Sequence, residues 1–340
     1  MKLVPLFTIV LSLLVFNSIA QTNPSDTNVV DMKGMRQGKW KKYENKILKY
    51  EGQFKDNKPY GEFRYYYPDK KLQTLAVYSN NGDISRTITY YPEGKKMSTG
   101  MYWKQKKDSI WSYFNDSDTL VAEENYIKGV KNGQWKTYYP SGKLLQILNY
   151  KSDDKEGEWI EYYANEAIKS KSIYKNNVLN GLFKHFYSSG KTMISGTYVN
   201  GKKDGVWMYF KENGLNKRME KYSNNKLIEE KIFVSNGNNK NYPVAVDSIA
   251  YFYSKEGSII MINKNAVKTT IDNSLDEMEE ILGTQKFFRI NENMIIKLDA
   301  IQSTENYTAK QMKVNLKPTC EIEAIVDEEK SAVIRSWNYK

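Results

Sequence analysis

The chain has 340 residues, 40% hydrophobic and 14% aromatic with 27 tyrosines, and its basic residues outnumber the acidic ones 51 to 40. An aromatic load of that size excludes a disordered chain, and the length leaves room for about two domains. The single histidine, His185, and single cysteine, Cys320, exclude an intrachain disulfide and a His/Cys metal cluster.

Any Ser-His-Asp or Cys-His arrangement would have to use His185, which sits inside a repeat strand and reads as a strand surface residue. The residues therefore point away from an enzyme, and no catalytic residue, metal site or cofactor is expected.

At the N-terminus, Lys2 supplies a basic start and Leu3 to Phe16 form an apolar run. Ser18-Ile19-Ala20 then makes a small-x-small cleavage signal ahead of Gln21. Residues 1–20 thus read as a secretory signal peptide. The 14-residue run falls short of the ~20 residues that a spanning helix needs, and no later stretch approaches that length. The expectation is export to the periplasm, the envelope or the medium after cleavage near Ala20; the alternative is a cytoplasmic chain. Residues 21–36 read as a spacer.

Residues 37–234 are a repeat array of about eight units, most of them 24 residues apart. Trp111, Trp135, Trp159, Phe183 and Trp207 form one column, extended upstream by Trp40 and Phe63 with Thr87 filling a degenerate copy. Glycines stand two residues earlier at 38, 61, 133, 157, 181 and 205. A second column holds Tyr78, Tyr102, Tyr126, Tyr150, Tyr174, Tyr198 and Tyr222, with Phe54 in step before them.

Each unit reads as a β-hairpin. In Gly133 to Tyr139 the period of two puts Trp135 and Tyr139 on one face, with Lys136 and Tyr138 on the other. Pro140-Ser141-Gly142 is the turn, Gly142 offering a positive φ at no steric cost. A lone hairpin is marginal in water, so the two aromatic columns are expected to be the packed core of a quasi-one-dimensional array.

The G-x-W-x-x-Y-Y…G-K…Y pattern resembles the MORN repeat, specifically the bacterial variant labelled a YwqK-type antitoxin repeat, over roughly 200 residues. The resemblance implies a non-catalytic binding or scaffolding module. From Gln21 to Asn239 there are 37 basic against 25 acidic residues, a net of +12, with lysines clustered between units as in Lys104 to Lys107 and Lys202-Lys203. Such charge keeps an aromatic-rich array soluble, and it also suits a protein or anionic envelope component as partner.

Residues 235–241 read as a polar linker where the period stops, and residues 242–340 follow a different pattern. Ile249 to Tyr253 and Ser258 to Ile262 read as strands. Ser274-Leu-Asp-Glu277 opens a helix through a capping box, and Leu275, Met278, Ile281 and Leu282 form its apolar face before Gly283. Phe287 to Asn291, Met294 to Leu298 and Met312 to Leu316 read as further strands. The fold class expected for the chain is all-β dominated: stacked hairpins plus a β-rich C-terminal domain with a short helix.

This last segment resembles the LytTR DNA-binding domain of bacterial response regulators. The residues that carry the likeness are 249–253, 274–279, 287–291 and 295–301, then Leu316-Lys-Pro318, Val326 and Trp337. Where the family has a basic or polar residue after its FFR-x-[HN] stretch, most often Arg, this chain has Glu292. Where its late Val-Ser-Arg element reaches DNA, this chain reads Val326-Asp327-Glu328.

Arg289, Asn291, Asn293 and Lys330 remain as candidate DNA contacts. From Lys240 onward there are 13 basic and 15 acidic residues, a net of −2, whereas DNA affinity rests on cations that neutralise phosphates. The expectation is an exported, non-enzymatic interaction protein whose LytTR-like domain has lost DNA binding. The alternative is a LytTR-type transcription regulator with the repeats as sensor.

Overall fold

The computed structural model describes residues 27–237, 240–308 and 310–337, and the side chains of Lys240, Ser336 and Trp337 are not among what is described. The segment read as a signal peptide lies outside the described residues. Two compact units divide between Asp118 and Thr119, inside the repeat array.

In the first unit every strand pairs antiparallel with the next: Val29–Val30, Arg36–Glu44, Ile47–Lys55, Lys58–Tyr66, Leu72–Ser79, Ile84–Tyr90, Lys96–Trp103 and Lys106–Phe114. Val29 and Val30, expected in the spacer, add a short edge strand against Gln37 and Arg36. The second unit holds an antiparallel meander of its own, from Leu120–Ile127 to Lys226–Asn236.

Two kinds of turn alternate along the array. Pairs such as Asp56-Asn57, Ser152-Asp153, Asn176-Asn177 and Asn224-Asn225 both adopt positive φ, as two-residue hairpin turns matched to strand twist require. The other turn closes through Gly142, whose N–H donates to Tyr139 O at 2.8 Å while the Tyr139 N–H donates to Lys143 O at 2.8 Å. Lys70, Asp118 and Glu166 take the glycine's place in other units and still adopt positive φ.

The register shifts between Thr137 and Tyr138, and it does so at the equivalent place in six other units. The extra residue of this bulge falls on the returning strand, Leu145 in this unit, so the period of two along Gly133–Tyr138 is kept. Tyr139 follows at the turn, and its hydroxyl donates to Tyr162 O of the next unit at 2.7 Å. Tyr67, Tyr91, Tyr163 and Tyr187 repeat this contact at 2.7–2.9 Å, so a third tyrosine column joins neighbouring units.

Residues 235–241 are not a linker. Lys231 to Asn236 pair with Lys240 to Ala245, which makes the polar stretch the tip of a hairpin. The alternation Ile232-Phe-Val234 explains this: Ile232 and Val234 are fully buried and join the core of the C-terminal domain, with Val246, Ile249, Met278, Ile281 and Ile295.

That domain has a five-stranded sheet in the order Lys268–Ile271, Ser258–Asn263, Ile249–Lys255, Met294–Lys297, Phe287–Asn291. The helix α1, Leu275–Leu282, starts on the capping box of Ser274 and Glu277 and buries Leu275, Met278, Ile281 and Leu282. A three-stranded sheet, Ile301–Asn306, Met312–Leu316 and Ala324–Val326, and a second helix α2, Glu328–Trp337, complete it.

Candidate binding surfaces

The first column of rings is not uniformly buried. Phe63, Trp111 and Trp207 are each 2% exposed, whereas Trp40, Trp135, Trp159 and Phe183 are only half-buried. Tyr78, Tyr102, Tyr126, Tyr150, Tyr174, Tyr198 and Tyr222 are half-buried throughout, and Phe54 alone in their column is buried. The cause lies on the preceding strand. A Cβ added at Gly52, Gly100 or Gly196 would overlap the ring of Phe63, Trp111 or Trp207 respectively, so those rings lie flat on bare backbone. The equivalent residues ahead of Trp135, Trp159 and Phe183 are Glu124, Leu148 and Ser172, each with a side chain where the buried rings meet bare backbone. This column of small residues, with Ala76 in step, has the same 24-residue spacing as the tryptophans and was open to detection in the sequence.

Neighbouring rings touch along the array. Trp111 meets Tyr102 at 4.7 Å, Trp135 meets Tyr150 at 4.9 Å and Trp207 meets Tyr198 at 5.0 Å between centroids. Cations cover the same rings: Arg36 lies 3.8 Å from the Phe54 centroid, Lys131 4.5 Å from Trp135, Lys155 5.2 Å from Tyr174 and Lys203 4.4 Å from Trp207. Their backbone N–H groups donate to Asn57, Asp153, Asn177 and Asn225 of the following turn, so these cations are part of the packing. Lys151, Lys175, Lys202 and Lys226, by contrast, are exposed at strand ends. His185 is half-buried in Gly181–Phe186 opposite Ser170 and Ile194, and burial followed by Lys169 lowers its pKa.

In the C-terminal domain Arg289 and Asn291 are tied into the fold, whereas Asn293 is exposed and Lys330 half-buried. The Arg289 side chain is 16% exposed, and its Nη1 pairs with Asp276 and, at 3.4 Å, with Glu279, both on α1. Its Nη2 donates to Glu292 O at 2.8 Å and its Nε to Asn291 O at 3.2 Å. Asn291 Nδ2 donates to Ile325 O at 2.7 Å, tying its strand to Ala324–Val326. The Asn293 N–H donates to Asn291 Oδ1 at 2.8 Å, and its side chain donates to Glu292 at 3.3 Å. Lys330 stands 4.0 Å from Asp327.

The last repeat and this domain share a charged seam that residue patterning did not reveal. Arg218 bridges Glu220 and Glu230, whose side chains are 8% and 7% exposed. Lys286 reaches Glu230 at 3.1 Å. Tyr209 and Tyr222 donate to Glu220 at 2.6 and 2.9 Å; burial, then this hydrogen bond, pushes the Tyr222 hydroxyl up to about 12 and that of Tyr209 further. Lys211 and Lys217 pair with Glu277 and Glu280 of α1. Among the described residues no helix is long and apolar enough to cross a membrane.

Comparison with known proteins places two families on the chain. The MORN repeat variant matches residues 59–80, 131–152, 155–176 and 179–200, and the LytTr DNA-binding domain matches residues 239–337. Among solved structures the chain is similar to a LytTr DNA-binding domain from Bacillus cereus, at 16% identity and a TM-score of 0.27, over 31% of this chain and 94% of that one. No curated protein matches it. The chain thus carries MORN repeat variants ahead of a C-terminal LytTr domain.

Proposed function

We propose that this chain is a non-enzymatic, exported interaction protein that binds its partner through the MORN-type array, and that its LytTr domain no longer holds DNA. The observation that carries the second half is Arg289, whose guanidinium already commits four of its five N–H donors to Asp276, Glu279 and two backbone carbonyls. Affinity for a duplex depends on cations free to neutralise phosphate, and a side chain locked to carboxylates brings no counterion release. Export is supported by Lys2, the apolar run from Leu3 to Phe16 and the small residues at 18 and 20. The exposed row Lys151, Lys175, Lys202 and Lys226 suits an acidic protein or an anionic envelope component as partner.

The second reading, a DNA-binding regulator with the array as sensor, is favoured by the LytTr match over 239–337. Duplex binding by the full chain at low salt separates the two. The full chain is the right sample, because Ile232 and Val234 of the last repeat belong to the C-terminal core. No binding in the micromolar range is expected. Micromolar binding that weakens steeply with added salt would establish the regulator reading instead.

A further inference from the structure

Resting on that proposal, we infer that the array's partner is a linear acidic glycan laid across the strands and stacked on Trp135, Trp159 and Phe183. The pairings Trp135–Leu148, Leu148–Trp159 and Trp159–Ser172 put these residues opposite one another on one sheet face. Ser170 opposite His185 carries the same register on to Phe183. Equivalent rings therefore stand two strands apart in one line, a step of about 10 Å. A glycan of equatorially linked hexoses is a flat ribbon that shows the same face at every second sugar, a repeat of much the same length. Its axial C–H bonds suit the negative face of an aromatic ring. The three rings are half-buried, so part of each is open to a ligand. Packing alone does not require this, because Phe63, Trp111 and Trp207 in the same column are buried.

What borders the rings sets the charge of the partner. Lys131 and Lys155 reach in on the same face, their ammonium groups 4.5 Å from the Trp135 centroid and 5.2 Å from that of Tyr174. Among the described residues neither pairs with a carboxylate, so each offers a cation where the carboxylate of an acidic sugar would lie. The row on the other side of the rings holds Gln146 and His185, which hydrogen-bond hydroxyls. Gln146 accepts from Trp159 Nε1 at 3.1 Å, which leaves its amide N–H groups to donate. The acid in that row, Glu161, is engaged by the Ser170 hydroxyl at 2.6 Å. Acids also close the line of rings at both ends: Glu124 occupies the position of Leu148 one unit earlier, and Glu220 lies opposite Trp207. Between them the line is uncharged from Trp135 to Trp207, which confines a polyanion to the stretch where the open rings stand.

The test is a calorimetric titration of the full chain with a mannuronate oligosaccharide, beside an uncharged cello-oligosaccharide of the same length and inorganic polyphosphate. The wild type is expected to bind the mannuronate most tightly, with an affinity that falls as salt is raised. Trp159→Ala should weaken that binding at least about tenfold, the loss expected for a stacking anchor. Leu148→Glu places in the line the residue that the repeat already carries at 124, so the fold tolerates it; it should weaken mannuronate more than the cello-oligosaccharide. Lys131→Gln/Lys155→Gln should remove the preference for the acidic sugar and most of its salt dependence. No binding of mannuronate by the wild type would overturn the inference and leave the proposed function, tested by duplex binding, as it stood. Polyphosphate bound as tightly as mannuronate, with Trp159→Ala and Leu148→Glu without effect, would overturn it too, because charge alone would then be the attraction.

Discussion

Trp207 and Trp135 occupy the same column, yet Trp207 is 2% exposed and Trp135 is half-buried. The difference is the residue eleven positions earlier, Gly196 in one case and Glu124 in the other. Trp207→Ala should therefore cost ~3–5 kcal/mol, the range for emptying a buried aromatic site, and Trp135→Ala roughly half as much, in line with the smaller area removed from water. Denaturant titrations of the two variants check this; equal losses would refute the account of the glycine column. A second prediction at this scale concerns Glu321, which accepts from Lys268, Tyr253 and Lys255 and is held down to about 2. A depressed carboxyl stabilises the fold above its ordinary value of 4.5 and loses that contribution as pH falls toward about 2. Glu321→Gln should flatten the acid limb of a stability–pH curve between those values.

Among the elements, those with strong periodicity were legible from residues alone. The hairpin units, the capping box of α1 and the strands Phe287–Asn291 and Met312–Leu316 all follow from spacing and apolar faces. What escaped was of three kinds. Bulges leave no residue signature, so the extra residue on each returning strand, Leu145 in one unit, was not readable from spacing. Short strands such as Lys268–Ile271 and Ala324–Val326 hold too few residues for alternation to show. Polar composition misled at 235–241, where the pairing of Ser235 with Asn241 continues a ladder that starts in the apolar Ile232-Phe-Val234. The candidate site was legible as residue types only: Arg289 stood out, but its partners on α1 depend on tertiary placement. The seam at Arg218 is of the same kind. Arg218→Ala would leave Glu220 with Lys203 alone and Glu230 with Lys286 alone, and a loss below the ~3–5 kcal/mol of a fully uncompensated buried charge is expected. Because Lys211, Lys217 and Lys286 tie the same region to the C-terminal domain, thermal unfolding should show both repeat and C-terminal signals shifting together. A shift confined to one of them would contradict the shared seam.

For the molecule as a whole, charge is divided: residues 21–239 carry a net +12 and residues 240–340 a net −2. An anionic partner of the kind proposed would be drawn to the repeats, while the LytTr domain would meet any phosphate with a small deficit of cations. That distribution suits a protein whose repeats work where no chromosome is present. The most direct measurement is fractionation of cells producing the full chain, followed by N-terminal sequencing of the purified protein. The account predicts an extracytoplasmic protein that begins at Gln21. A cytoplasmic protein that still carries residues 1–20 would contradict it.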